Sequence, residues 1–531
     1  MAKLSYDTFL DKVHGCWYGK CLGGAAGAPL EGIKKLIDIK DFTEVFNPDL
    51  PNDDLDLQLL WLDVLETKGF QITSCDLADA WIEKCWYPFS EYGYFMKNYM
   101  RGIKPPYSGI INNSFFKEGM GCPIRSEIWG IVCAGNPKLA TDYAYIDATL
   151  DHSDNSVFAE QFLAAIESMA FLENNIVTLI NKGMEYIPKD SKLHKCFDMI
   201  LSEYNTGSAW ANVRKLVLDK FGHPDFTNVV QNMGFVIISL LYGGGDMRKT
   251  INISLQCGYD TDCTCASAAS VVGIIKGYES LGDLKDLIND YFVCGIDVKR
   301  PSDSISRLAV DTTNMAMKMP NSEFVLENQE NCKDICLDLE YPTQQKLEKS
   351  LHSVYPIKWN IYGPYYEQLE QEIDKNYPSP HGEGSVLPDM VCMVNNEAFL
   401  DKEYERGEKV CTIDAYEDLI ELDRHITMQG QYACYAETQI ISEKEQTVWA
   451  IIGNNDGFSL FVNDEKLISR DEMRLWTPYN NFCLVNLKKG KNTIGIKLLK
   501  RGEIFRFSIG FRIYNGQHWH RSKWCTDLIY I

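Results

Sequence analysis

The chain has 531 residues, 45% of them hydrophobic and 24% charged, with a formal net charge of −22. That length exceeds a single hydrophobic core, so two or three domains are expected. A surface this acidic repels phosphate, which argues against nucleic acid as a partner and against docking on anionic membranes. The longest strongly apolar run, residues 235–241, is too short to cross a bilayer, and the N-terminal residues lack the apolar core of a secretory signal. The eighteen cysteines include no CxxC pair. They read as reduced thiols of a cytoplasmic protein rather than as zinc ligands.

Residues 1–320 read as mostly helical. A first helix is predicted from Asp7 to about Gly24, with Phe9, Leu10, Val13, Cys16 and Tyr18 at helical spacing. Gly15, Gly19 and Gly23 leave one face of it bare, at a cost of about 1 kcal/mol each relative to alanine. Such a face predicts that another backbone packs very close. Residues 55–66 form a second helix with Leu55, Leu57, Leu59, Leu60, Leu62 and Leu65 around most of its circumference, hence buried in a bundle.

Residues 77–86 read as an amphipathic helix and 102–121 as loop. A long helix runs from Asn155 to about Glu173, and a buried one over 229–242 ends at Gly243, Gly244 and Gly245. The Ala- and Ser-rich stretch 266–277 suits tight helix packing. Beyond about residue 322, Pro and Tyr become frequent and 379–385 reads as a linker. Strands are predicted at 448–452, 458–462, 493–499 and 505–513. In the last, Phe505, Phe507, Ile509, Phe511 and Ile513 alternate inward as in a half-buried strand. Turns are expected at Asn463-Asp464 and around Gly490. The pattern predicts an antiparallel β-sandwich.

Two acidic clusters each open a predicted helix. One is Asn52-Asp53-Asp54, the other Gly258-Tyr259-Asp260-Thr261-Asp262. A hard cation takes several oxygen ligands. Asp and Asn are also preferred N-caps, so capping explains either pair taken singly. Two features favour a metal. Asp260 and Asp262 carry more charge than one cap requires, and the helix after Asp54 is apolar enough to draw its carboxylates inside. Buried carboxylates need cations or protons.

The order of these segments resembles the ADP-ribosylglycohydrolase family. Gly23 to Glu31 resembles the family's first glycine-rich loop with its acidic residue, and Asn52-Asp53-Asp54 its Asp-Asp metal motif. The stretch Gly119-Met120 to Arg125 resembles a Met-Arg loop lining the substrate cleft. Leu150-Asp151-His152 stands where a Thr-His pair opens a long helix. Gly243 to Asp246 and Gly258 to Asp262 complete the order, so the resemblance covers about residues 8–285.

This resemblance implies an all-α N-terminal domain, a helical bundle over 1–322. The all-β C-terminal region, 323–531, reads as a linker and an accessory, galactose-binding-like sandwich. The resemblance also implies a Mg2+-dependent hydrolase cleaving an N- or O-glycosidic bond at the anomeric carbon of ADP-ribose or a related ribosyl substrate. Asn52, Asp53, Asp54, Asp260 and Asp262 would be metal ligands. Glu31, Asp54 and Asp260 would be catalytic, while Gly119, Met120, Arg125, His152 and Tyr259 would bind substrate.

For Arg125 the alternative is a structural salt bridge to Glu118 or Glu127. For His152 it is capping or packing, and for Tyr259 a place in the core. Two positions depart from the family pattern. Cys263 stands where Thr follows the second Asp, and Leu55 where Thr follows Asp54. A thiol is a poor magnesium ligand, so one ion site is supported and a second is left open. Thr264 would substitute only if the helix start were shifted. Two other readings stand beside this one. The first is a carbohydrate or nucleoside glycosidase, and the second a non-catalytic, crystallin-like binding protein. For the sandwich a packing or homodimerising role is preferred to sugar binding.

Overall fold

A computed structural model of the chain describes residues 2–48, 53–319, 324–326, 335–367, 392–393 and 407–531. The expected boundary at 322/323 and the linker at 379–385 lie outside the described residues. The N-terminal part is helical and the C-terminal part is built of antiparallel strands, as expected. No helix among the described residues is long and apolar enough to cross a membrane.

The chain divides into two compact units. The first takes in Met1–Trp86 and Phe116–Tyr341, and the second combines Tyr87–Phe115 with Pro342–Pro380 and Pro388–Ile531. In the first unit, the helix Tyr6–Gly27 lies against the helix Thr261–Lys276 along the glycine face. A Cβ added at Gly15, Gly19, Gly23 or Gly27 would stand 2.3, 2.5, 2.4 or 2.2 Å from the carbonyl oxygen of Gly273, Ala269, Cys265 or Thr261. The two helices therefore run antiparallel with their backbones nearly touching. The glycines serve this approach, and Ala266, Ala268 and Ala269 keep the facing helix equally thin.

The helix Asp53–Lys68 is buried as its leucines required, with Leu59, Leu60, Trp61 and Leu62 fully enclosed. Its polar residues Asp54, Asp56 and Gln58 are buried as well. Asp56 accepts hydrogen bonds from Gly295 N at 3.0 and 3.1 Å. The helix Val229–Gly243 ends on Gly244 in the left-handed region (φ +62), the role its glycine run anticipated.

The second unit holds two main sheets with an apolar core between them, beside a two-stranded pair of Cys392–Met393 and Glu472–Met473. One has seven strands, in the order Glu465–Arg470, Phe458–Val462, Gly490–Lys500, Tyr432–Ser442, Ile357–Tyr366 and Lys409–Ala415, with Ile529–Tyr530 also pairing to Tyr432–Ser442. The other has four, in the order Asn481–Leu487, Gln446–Asn454, Arg506–Ile513 and Leu419–Glu421. Asn463 and Asp464 form the expected turn with φ of +51 and +69.

The half-buried strand expected at 505–513 is covered on both sides instead. Trp476 donates to Ser508 Oγ, Trp524 packs over Gly510, and Ile513 at the strand end is exposed. The helix Ser90–Met100 belongs to this unit. Lys97 pairs with Asp418 and lies 4.3 Å from the Trp524 ring centroid.

Candidate metal centre

The close helix pair delivers the end of the first helix to the start of the helix at Thr261. Thr261 Oγ1 donates to Gly27 O at 2.8 Å. The chain then makes one 3₁₀ turn, Ala28–Leu30, and reaches Glu31. Two backbone hydrogen bonds fasten the residues just after it: Gly32 N donates to Tyr259 O at 2.8 Å and Tyr259 N to Ile33 O at 2.9 Å. Gly258 (φ +71) and Tyr259 (φ +68) both sit in the left-handed region. A tyrosine held there costs on the order of 1–3 kcal/mol, which the surrounding bridge sustains. The outcome is that Glu31, 230 positions away in sequence from Thr261, stands beside Asp260 and Asp262.

The described acidic side chains form two overlapping sets. Ligand atoms of Glu31, Asp260 and Asp262 all lie within 4.8 Å of one another, and so do those of Asp54, Asp262 and Cys263. Asp262 belongs to both. Asp260 occupies the N-cap position but makes no capping hydrogen bond with its side chain. Capping therefore does not explain its presence. Asp262 Oδ1 is closed off from solvent and has no hydrogen-bond partner among the described residues.

Burial and then the charges of Glu31 and Asp54 push the Asp262 carboxyl up to about 7. Burial, Asp262 and Glu31 push Asp260 well above the usual carboxylate range. Oxygen donors that gather in an apolar setting, with one buried oxygen left over, fit a hard divalent cation. The residues present therefore suit the ion that the acidic motifs imply.

Asp54 is almost fully buried. Its Oδ1 accepts a hydrogen bond from the Cys263 thiol at 3.6 Å, and its Oδ2 lies 3.4 Å from Lys20 Nζ. Burial and the surrounding carboxylates hold the thiol proton in place. Cys263 is thus a neutral donor to Asp54. Thr264 stays with its own helix, donating to Thr261 O at 3.4 Å, and does not replace the missing threonine. The Asp53 side chain and Asn52 lie outside the described residues.

The ADP-ribosylglycohydrolase family matches across residues 5–311, more than half of the chain. This chain belongs to that family. It is a glycosyl hydrolase of ADP-ribose-like substrates, in a family that depends on a divalent metal. A solved ADP-ribosylglycohydrolase-related protein complex is similar at 16% identity with a TM-score of 0.43, covering 58% of this chain and 99% of that one. The PA14 domain of the antifreeze protein MpAFP is similar at 10% identity with a TM-score of 0.20, covering 31% and 85%. A β-glucosidase from Kluyveromyces marxianus is similar at 8% identity with a TM-score of 0.19, covering 48% and 34%. A comparison with curated proteins finds no match.

Around the centre of this ADP-ribosylglycohydrolase, the remaining residues singled out from sequence take varied positions. Gly119 and His152 meet: a Cβ on Gly119 would stand 3.7 Å from His152 Nε2. His152 is fully buried with Nδ1 2.9 Å from Asp151 Oδ1, and burial lowers its proton affinity. Met120 is buried. Tyr259 is enclosed, its ring centroid 5.6 Å from that of Phe235.

Arg125 is fully buried. Its Nε donates to Asp147 at 2.7 Å and its Nη2 to Asp151 at 2.6 Å, while Nη1 reaches Gly121 O. The partners expected from its loop are engaged elsewhere. Glu118 accepts from Asn155, and Glu127 from Gln58 and Ser270. Arg125→Ala is expected to destabilise the protein by about 3–5 kcal/mol, because two buried carboxylates lose their cation. Denaturant unfolding measures this. A variant of normal stability with weakened substrate binding would instead assign Arg125 to the substrate.

Sequence reasoning missed Lys20 and Gln58, and considered Glu127 only as a partner for Arg125. All three are buried and lie directly behind Asp54. The only local signal was a lysine inside an otherwise small and apolar helix face.

Proposed function

We propose that this chain is a magnesium-dependent hydrolase cleaving an N- or O-glycosidic bond at the anomeric carbon of an ADP-ribosyl substrate. Asp260, Asp262 and Asp54 would hold the ion, with Asn52 and Asp53, which precede Asp54 in sequence, as further proposed ligands. The observation that carries the reading is the uncapped Asp260 beside Asp262, whose buried Oδ1 has no hydrogen-bond partner among the described residues. When bound, the ion supplies a fixed positive charge against which hydroxyl oxygens and a water are oriented.

Glycoside cleavage passes through an oxocarbenium-like state that nearby carboxylates stabilise. Glu31 is the exposed member of the acidic group. It is therefore the one able to meet substrate and accept a proton from water, a contribution on the order of 10² to 10⁴ in rate. Gly119, Met120, Arg125, His152 and Tyr259 are proposed to shape the substrate side, the last four from buried positions that fix the backbone rather than touch solvent. The unpaired cysteine pattern supports a cytoplasmic location, and the sandwich is assigned packing or homodimerisation.

The test is a panel of ADP-ribosylated peptides, ADP-ribose conjugates, nucleosides and aryl glycosides, each assayed with magnesium and with chelator. Release of ADP-ribose only with magnesium is expected. Chelator-insensitive turnover of aryl glycosides alone would overturn the reading.

A further inference from the structure

The two overlapping ligand sets are not equivalent, and the difference is Lys20. Its side chain is 0% exposed, although it sits on the first helix one residue from the bare glycine face. An ammonium has three hydrogens to place. One goes to Ile124 O at 2.6 Å, and the ammonium forms ion pairs with Glu127 Oε1 at 3.0 Å and Asp54 Oδ2 at 3.4 Å. Glu127 is further held by Gln58 Nε2 at 2.9 Å and Ser270 Oγ at 3.0 Å, so the ammonium's anchor does not move. The other oxygen of Asp54 carries the Cys263 thiol. The charges that bear on Asp260 and Asp262 are those of carboxylates, and neither residue forms an ion pair with a lysine or arginine among the described residues.

We infer that Lys20 serves as a built-in cation for the Asp54, Asp262 and Cys263 set, so that the centre takes one divalent ion, on the Asp260 side, and no second. A divalent ion seated on the Asp54 side would face the ammonium across a single carboxylate, in a buried setting that screens the two charges weakly. Lys20 is a positioning residue. It pairs with Asp54 at Oδ2 and leaves Oδ1 to serve the bound ion. The inference rests on the reading of this cluster as a metal centre.

Mn2+ stoichiometry tests it, measured by calorimetry and by elemental analysis of gel-filtered protein, with electron paramagnetic resonance for coupled ion pairs. The wild-type chain is expected to bind one Mn2+ and show no coupled pair. Two ions in the wild type would overturn the inference and leave the metal reading intact, whereas no ion would overturn the metal reading itself. Cys263→Thr alone, which supplies an oxygen but keeps the ammonium, is expected still to bind one. Two ions there would show that the thiol, not Lys20, sets the number.

The double variant Lys20→Met/Cys263→Thr is expected to bind two and display the coupled signal, and Lys20→Arg/Cys263→Thr to return to one. A folded Lys20→Met/Cys263→Thr protein that binds one overturns the inference. If that variant does not fold, the wild-type and Cys263→Thr counts decide.

Discussion

Asp262→Asn is expected to abolish divalent-ion binding and sharply slow hydrolysis while leaving the metal-free protein folded and at least as stable as the wild type. Asp262 is the one residue common to both ligand sets, so every candidate set among the described residues includes it. Its Oδ1 is buried without a hydrogen-bond partner among the described residues, so the amide forfeits no bond on that side. The amide also removes a negative charge from beside Glu31 and Asp54, whose repulsion already raises the Asp262 carboxyl to about 7. Relief of that repulsion favours the folded state. Loss of an oriented charge at the reacting centre should cost on the order of 10² to 10³ in turnover. Thermal unfolding with and without magnesium, together with the hydrolysis assay, checks both halves. Wild-type turnover in Asp262→Asn would end the assignment.

The metal-free protein is expected to lose stability as pH rises through about 7, and the gain from magnesium to grow over the same interval. The unfolded chain releases the Asp262 proton near an ordinary carboxylate value, about 3.9. The folded chain keeps it until about 7. The native state therefore binds more protons between those limits. Its proton-linked stability is complete below about pH 4 and lost as pH climbs through the folded value. A divalent ion competes with that proton, so its affinity falls as the solution is acidified.

Asp260 acts in the same direction, and so do the buried Glu160 and Glu167, which burial pushes well above the carboxylate range away from the centre. The comparison with Asp262→Asn separates these contributions. Melting temperatures at about pH 5.5 and about pH 8 should show the larger magnesium-induced rise at the higher pH in the wild type and none in the variant. Equal rises at both pH values would contradict the assignment.

Much of this was legible along the chain because it is encoded at short range. Helical spacing exposed the bare face of Gly15, Gly19 and Gly23, and a bare face has one physical use, the close approach of another backbone. Ala266 to Gly277 was readable as a second thin helix, but that it packs on this face was decided by the tertiary structure. Leucines around the whole of the helix after Asp54 required burial, and burial drew Asp54 inside. Alternating apolar residues marked the strands, but not that Trp476 and Trp524 would cover the outer side of 506–513. Trp476 stands 32 residues before Ser508 and Trp524 14 after Gly510, and neither leaves a trace in the alternation.

The sequence by itself determined the helical and β-rich parts, the two acidic helix starts and the bare glycine face, since each depends on periodicity or on residue types within one turn. Tertiary structure alone decided which charges meet. Glu31 reaches Asp260 only through the bridge between Ile33 and Tyr259, and Arg125 finds Asp147 and Asp151 rather than its neighbours Glu118 and Glu127. Lys20 finds Asp54 and Glu127 from 34 and 107 residues away. Ion pairing is set by distance in space and by the exclusion of water, and neither has a period that the order of residues can display.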